Sequence, residues 1–121
     1  MPARRVLIVD DSRVSRMLIR SALAARHPDW VYEEAGNVDE AVAKVTAAPF
    51  DVVSLDYNMP GANGLDGVAS LRAIQPNLII TMFTANVQQA VRDRASSLGV
   101  GFVDKPVNDA SIVRWLSTLE R

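Results

Sequence analysis

Cysteine is absent from the chain, so disulfides, thiolate metal centres and a cysteine nucleophile are excluded. Histidine occurs once, at His27 in the turn His27-Pro28-Asp29. One such residue builds neither a Ser-His-Asp set nor a histidine metal centre, and it is expected at the surface. No apolar stretch approaches the roughly 20 residues that span a bilayer, and the N-terminus lacks the layout of a signal peptide. No charge of one sign dominates: 13 basic residues face 14 acidic ones, for a formal net charge of -1. Bulk attraction to nucleic acid or an anionic membrane is therefore not expected, and Arg4-Arg5 is too short for a basic arm. A dinucleotide-binding glycine loop is missing too. It should follow the first strand, where this chain has Asp10-Asp11-Ser12, and Gly99 and Gly101 lie elsewhere. The expectation is a soluble, cytoplasmic protein with no direct nucleic-acid binding and no membrane insertion.

What is present is a core in the making. With 121 residues, 49% of them hydrophobic, the chain suits one domain spanning 1–121. Short apolar runs alternate with stretches of helical period. Val6 to Val9 is a buried strand candidate, and Ser12 offers an N-cap hydroxyl. Val14, Met17, Leu18, Ser21, Ala22 and Ala25 then predict the buried stripe of a helix, with Arg13, Arg16, Arg20 and Arg26 off it. Trp30 to Ala35 reads as an edge strand because of its glutamates. Asn37 or Asp39 caps a helix that Pro49 stops, Val52 to Leu55 is a third strand, and Asn58 to Gly64 is a loop. A helix from Leu65 to Ile74, a strand from Leu78 to Phe83 and a helix from Val87 to Leu98 follow, the last ended by Gly99. Phe102 and Val103 form a fifth strand. Asn108 or Asp109 opens a final helix that carries Ile112, Trp115, Leu116 and Leu119 on one face. Trp30 and Trp115 read as packing residues, and Arg92 and Arg94 as solvated helix residues. Five β-α repeats imply a parallel sheet covered on both faces, with right-handed crossovers. The last helix is expected to end near Arg121, and on that reading no output domain is expected.

Polar residues close these runs in a consistent way. Asp10-Asp11, Asp56, Thr84 and Lys105-Pro106 each follow an apolar strand, and a parallel sheet brings such ends to one edge. Adjacent carboxylates repel, so an acidic pair closing a buried strand is costly unless a cation joins it. Mg²⁺ takes one or two carboxylates together with phosphate oxygens. Asp56 can serve as both ligand and nucleophile, since carboxylates form acyl phosphates. The hydroxyl of Thr84 and the ammonium of Lys105 can bind phosphoryl oxygens, and Lys105 suits an ion pair with Asp56. Taken singly, each residue has a duller explanation: a capped turn, a strand-ending acid, a turn threonine, a surface lysine. Their agreement in kind points to metal-assisted phosphoryl transfer onto Asp56.

The pattern resembles the receiver domain of bacterial two-component response regulators, from Arg5 to about Leu119. The motifs are Val6-Leu7-Ile8-Val9-Asp10-Asp11-Ser12, Leu55-Asp56-Tyr57-Asn58-Met59-Pro60-Gly61-Ala62-Asn63-Gly64, Phe83-Thr84-Ala85 and Phe102-Val103-Asp104-Lys105-Pro106. Jointly they are specific, and the chain looks like a stand-alone receiver of the chemotaxis-regulator kind. The resemblance implies a flavodoxin-like (βα)5 fold with sheet order 2-1-3-4-5. It implies that Asp56 accepts phosphate from the phosphohistidine of a sensor histidine kinase or histidine phosphotransfer protein. Asp11 would bind Mg²⁺ directly, Asp10 through water, and Asp56 and the Asn58 carbonyl would complete the protein ligands. Thr84 would swing to the phosphoryl group, Lys105 would hold it, and Lys105-Pro106 would be cis. Phe102 stands at the aromatic switch position. Asn58 and Asn86 would influence the phosphoaspartate lifetime. Readout would fall between about Val87 and Leu119, on a downstream protein partner; a monomer is expected, with dimerisation through the fourth and fifth helices as one outcome of activation. No independent small-molecule turnover is expected. Two other readings stay open. The chain could be the receiver module of a larger transcriptional or enzymatic regulator. A haloacid-dehalogenase-type phosphohydrolase also uses an aspartyl nucleophile, but that family places Asp-x-Asp where this chain has Asp10-Asp11-Ser12.

Overall fold

The computed structural model describes residues 4–59, 64–85 and 88–119. Within them five strands and five helices alternate: β1 (Arg5–Val9), α1 (Arg13–Arg26), β2 (Val31–Ala35), α2 (Val38–Ala47), β3 (Val52–Asp56), α3 (Gly64–Ile74), β4 (Ile79–Thr84), α4 (Gln89–Ser97), β5 (Gly101–Asp104) and α5 (Asp109–Leu119). The strands form one parallel sheet in the order β2-β1-β3-β4-β5. The expected flavodoxin-like topology is thus present. Pro60, Gly61, Asn86 and Val87 lie outside the described residues, and α3 begins at Gly64, one residue earlier than expected.

The central strands read as unbroken apolar runs because helices cover both their faces. On one face Leu7, Val9, Val53, Leu55, Ile80 and Met82 pack with residues of α2, α3 and α4. On the other, Val6, Ile8, Val52, Phe83 and Val103 pack with α1 and α5. Trp115 of α5 is buried there and donates Nε1–H to Thr81 Oγ1 at 2.9 Å. A buried indole N–H needs such a partner, so the expectation that Trp115 is a packing residue holds. Gly67 permits the close approach of α3, since a Cβ there would meet Val38 Cγ2 at 3.2 Å. Gly99, at φ +70°, turns the chain out of α4 as expected.

Four expectations need correction. The buried stripe of α1 is Ile19 and Leu23, whereas Val14, Met17 and Leu18 are 66%, 56% and 55% exposed. Two apolar stripes wind around this helix, and periodicity alone cannot choose between them; the sheet and α5 cover only one. Arg16 belongs to the covered side, half-buried against β2. His27 is not a free surface residue but half-buried, stacked on Trp30 with ring centroids 3.9 Å apart. Trp30 itself is buried just ahead of β2, which begins one residue later than expected. Arg92 is not simply solvated, because its guanidinium lies 4.9 Å from the centroid of the Phe102 ring and donates to Asp104 Oδ1 at 2.7 Å.

Candidate functional site

Parallel pairing brings every strand's carboxyl end to one edge. The chain leaves β1 for α1 on one face and leaves β3 for α3 on the other, so a crevice opens between the adjacent ends of β1 and β3. Asp10 follows β1 and Asp56 closes β3, and both face the α1 and α5 side by strand alternation. Asp11, one residue on, is exposed at the mouth. Carboxylate oxygens of Asp10, Asp11 and Asp56 all lie within 4.8 Å of one another. Lys105, just after β5, reaches across. Its Nζ donates to Asp10 Oδ2 at 2.9 Å and sits 3.3 Å from Asp56 Oδ1. The expected Lys105–Asp56 pair is present, and Asp10 shares the ammonium at shorter range. The Lys105–Pro106 bond is cis, as the motif implies.

Backbone groups finish the cradle. Asp10 Oδ1 accepts from the N–H of Ser12 at 2.9 Å, and Asp56 Oδ1 from the N–H of Asn58 at 3.3 Å. Ser12 Oγ caps α1 by accepting from the N–H of Ser15 at 3.2 Å, so the helix start and the acidic turn form one unit. Asn58 is exposed beside the cluster. Thr84 closes β4 fully buried, and its carbonyl accepts from the N–H of Lys105 at 2.9 Å. Thr84 lies opposite Asp104 in the β4–β5 ladder, and Phe102 opposite Met82. Thr84 and Phe102 therefore share the α4 face of the sheet, and Phe102 is half-buried there.

The electrostatics are out of balance. Burial, and then the charge of Asp10, push the Asp56 carboxyl up from 3.8 to about 6, with Lys105 and the Asn58 N–H offsetting only part of this. Burial alone would lower the Lys105 ammonium, but its hydrogen bond to Asp10 and the charges of Asp56 and Asp10 outweigh that and raise it. Two buried carboxylates thus share one ammonium, with a third carboxylate within 4.8 Å of them. The donors are all hard oxygens without thiolate or imidazole, a set that fits Mg²⁺ or Ca²⁺ rather than a softer metal. A nucleophilic carboxylate, a place for a divalent cation and a fixed ammonium can together support phosphoryl transfer.

Every residue singled out at the strand ends lies at this edge: Asp10, Asp11, Asp56, Asn58, Thr84 and Lys105. Phe102 stands one pleat back from it on the shared face. Arg16 was missed. Its Nη1 donates to the carbonyl of Asp10 at 2.6 Å. The available signal was its place one turn inside α1, from which helical side chains lean back toward the N-terminus.

The response regulator receiver domain model matches residues 6–117. The chemotaxis protein CheY of Thermotoga maritima is 34% identical, over 98% of this chain and 98% of that protein. A protein-glutamate methylesterase/protein-glutamine glutaminase of Nocardioides is 35% identical over 94% of this chain but only 32% of its own length. The probable transcriptional regulatory protein TcrX of Mycobacterium tuberculosis is 35% identical over 96% of this chain and 49% of its own. Among solved structures, CheY4 of Vibrio cholerae superposes with a TM-score of 0.85 at 28% identity, covering 97% of this chain and 98% of that one. The response regulator TrrA of Thermotoga maritima, in complex with Mg²⁺ and BeF, superposes with a TM-score of 0.79 at 26% identity, covering 96% and 98%. The chain belongs to the response regulator receiver domain family, whose fold serves phosphorylation-activated signalling.

Proposed function

We propose that Asp56 is the phosphoacceptor of a signalling switch loaded by a phosphohistidine protein. A carboxylate oxygen of Asp56 forms the new bond to phosphorus as the phosphorus–nitrogen bond to the donor imidazole breaks, and the imidazole leaves with that electron pair. The observation that carries this reading is the convergence of Asp10, Asp11 and Lys105 on the Asp56 carboxylate. Asp11, Asp56 and the Asn58 carbonyl would hold Mg²⁺, with Asp10 acting through water. When bound, the cation would offset negative charge on the carboxylates and on the incoming phosphoryl oxygens. Lys105 pairs with Asp56 at rest and takes a phosphoryl oxygen after transfer. Thr84 donates its hydroxyl to another.

An apolar surface beside the site suits the donor. Leu18 of α1 lines a cavity of about 390 Å³ with Pro106, Val107 and Lys105, and exposed Val14 and Met17 lie on the same helix. A helix of a histidine kinase or histidine phosphotransfer protein would cover these residues as it presents its phosphohistidine. Readout falls on α4, β5 and α5. Phosphorylation adds about -1.5 to -2 charge and draws the Thr84 hydroxyl toward the phosphoryl group, and Phe102, half-buried on the same face, turns further in. The chain spans nearly all of the Thermotoga CheY protein but a third to a half of several other relatives. We favour a cytoplasmic switch that acts by binding a partner protein, without small-molecule turnover of its own; the second reading is the same switch attached to a larger regulator.

The test is labelling with acetyl phosphate and Mg²⁺, followed by intact mass. The wild-type chain gains one phosphate, and Asp56→Asn gains none. Undiminished labelling of Asp56→Asn would place the acceptor elsewhere.

A further inference from the structure

We propose that Arg16 is a positioning residue for the acidic cluster: by tying the Asp10–Asp11 peptide to Glu34 of β2, it aims the Asp11 carboxylate and tightens divalent-cation binding. The inference rests on reading the cluster as a cation site.

The contacts are specific. Arg16 Nη1 donates to Asp10 O at 2.6 Å, and Arg16 Nε donates to Glu34 Oε1 at 3.0 Å. The other oxygen of Glu34 accepts from Arg20 Nη1 at 2.8 Å, so Glu34 is itself held from two sides. Asp10 is engaged at every polar group. Its N–H donates to Ala35 O at 3.1 Å, one carboxylate oxygen takes Ser12 N–H, and the other takes Lys105. Its carbonyl, which begins the peptide leading to Asp11, is the group that Arg16 holds. Asp11 is exposed, so its aim depends on that peptide plane more than on its own packing.

A second observation supports a special role. An arginine near a helix N-terminus opposes the helix dipole, and α1 has no acidic residue in its first turn to offset it. Sequences break such local rules mainly at functional sites. Arg16 is also sheltered, with only 17% of its side chain exposed, so the pair with Glu34 is not an ordinary surface ion pair.

Geometry and charge predict opposite signs, which makes the proposal testable. A guanidinium near a cation site repels the cation, so a role through charge alone means that its removal strengthens binding. A role through position means that its removal weakens binding, as loss of the partners that orient metal ligands does. Glu34 neutralises much of the charge and leaves the positional effect dominant.

The experiment is a Mg²⁺ titration followed by amide and carbonyl NMR on the full chain. It compares wild type with Arg16→Lys, Arg16→Gln and Glu34→Gln, with Asp11→Asn as the variant lacking a ligand. Both Arg16 variants should bind Mg²⁺ about tenfold more weakly, and Glu34→Gln should weaken it less. The Asp10 carbonyl carbon should shift in Arg16→Lys and Arg16→Gln even without metal, a signature that a general loss of stability does not produce. Cooperative thermal unfolding in EDTA checks the fold; if Arg16→Gln does not fold, Arg16→Lys carries the comparison, because it keeps the charge and loses the planar fork that bridges Asp10 O and Glu34. Arg16→Gln binding Mg²⁺ as tightly as wild type or tighter, or Arg16→Lys matching wild type, overturns the proposal while leaving the cation site intact. A wild-type chain with no Mg²⁺ response at Asp11 or Asp56 defeats the functional reading and this inference together.

Discussion

The two ends of the sheet treat charge in opposite ways. At the amino end and its flank, charged and polar groups are matched. Arg5 pairs with Glu33, Lys44 Nζ approaches the other Glu33 oxygen at 3.4 Å, and the Arg5 N–H donates to Asp51 Oδ2 at 2.8 Å. Gln75 bridges α2 to β3: its Oε1 accepts from the Phe50 N–H at 2.9 Å, and its Nε2 donates to the carbonyls of Val45 and Ala48 at 2.7 and 2.8 Å. Among the described residues, the buried side-chain polar atoms of this end are hydrogen-bonded apart from Arg5 Nε, and its electrostatics favour folding. Arg5 above all holds the Glu33 carboxyl below its usual range. At the carboxyl end Asp10 and Asp56 share one lysine with the Asp11 carboxylate close by, and Asp56 is pushed up to about 6. There the fold tolerates a surplus of negative charge that a bound cation, or a proton on Asp56, would relieve. One sheet thus separates a region arranged for stability from one whose instability is useful.

That contrast can be broken experimentally. The largest expected effect is on transfer: Lys105→Ala should slow phosphorylation of Asp56 by about 10²-fold or more, in line with loss of one oriented donor to a developing charge. Stopped-flow with a phosphohistidine donor measures this, and a rate within threefold of wild type would show that Lys105 is not a transfer residue. Gln75→Ala comes next. It strands one buried N–H and two carbonyls, and urea unfolding should show a loss of about 2–3 kcal/mol with the phosphorylation rate unchanged.

Asp56→Asn should do the reverse in metal-free protein. Because the folded pKa is raised above the ordinary 3.8, the folded state binds more protons than the unfolded chain between about pH 4 and 6. Wild-type stability from this group therefore falls as pH rises through that window and stays low above it. Asp56→Asn should remove the fall and stabilise the chain by roughly 1–3 kcal/mol at pH 8 in EDTA. Glu33 carries the opposite sign: its lowered pKa adds stability above about 4.5 that disappears as pH drops. Urea midpoints from pH 4 to 8 separate the two slopes, and an Asp56→Asn profile parallel to wild type would remove the claimed surplus. The smallest effect is at Arg92. Arg92→Ala releases the Phe102 ring and Asp104, yet both partners are partly solvated, so the cost should stay below about 1 kcal/mol. Faster exchange of the Phe102 ring signals by NMR would report the release.

Legibility followed locality. Asp10, Asp56 and Thr84 could be picked out because a parallel strand buried on both faces reads as an unbroken apolar run, and the residue ending it is therefore conspicuous; Lys105 was marked by its place after the short run Phe102-Val103 and before Pro106. The caps at Ser12 and Asn37 were equally visible, since an N-cap hydrogen bond spans only three residues. The face of α1 was not. Val14, Met17 and Leu18 are as apolar as Ile19 and Leu23, and only the neighbouring elements distinguish them. Arg16, Gln75 and Arg92 were missed for a related reason. Each acts through partners that are remote in sequence or on another element, and a side chain reading as solvated by composition becomes structural once another segment supplies an acceptor.

By itself, then, the order of residues determined the alternation of strands and helices, the parallel sheet, and the kinds of side chain delivered to its carboxyl edge. These follow from periodicities and caps that operate over a few residues. The tertiary structure alone decided which stripe of α1 faces inward, that Lys105 divides itself between Asp10 and Asp56, and that Arg16 grips the Asp10 carbonyl. Burial and hydrogen-bond partnership belong to pairs of surfaces, and a surface acquires its partner only when the chain has closed on itself.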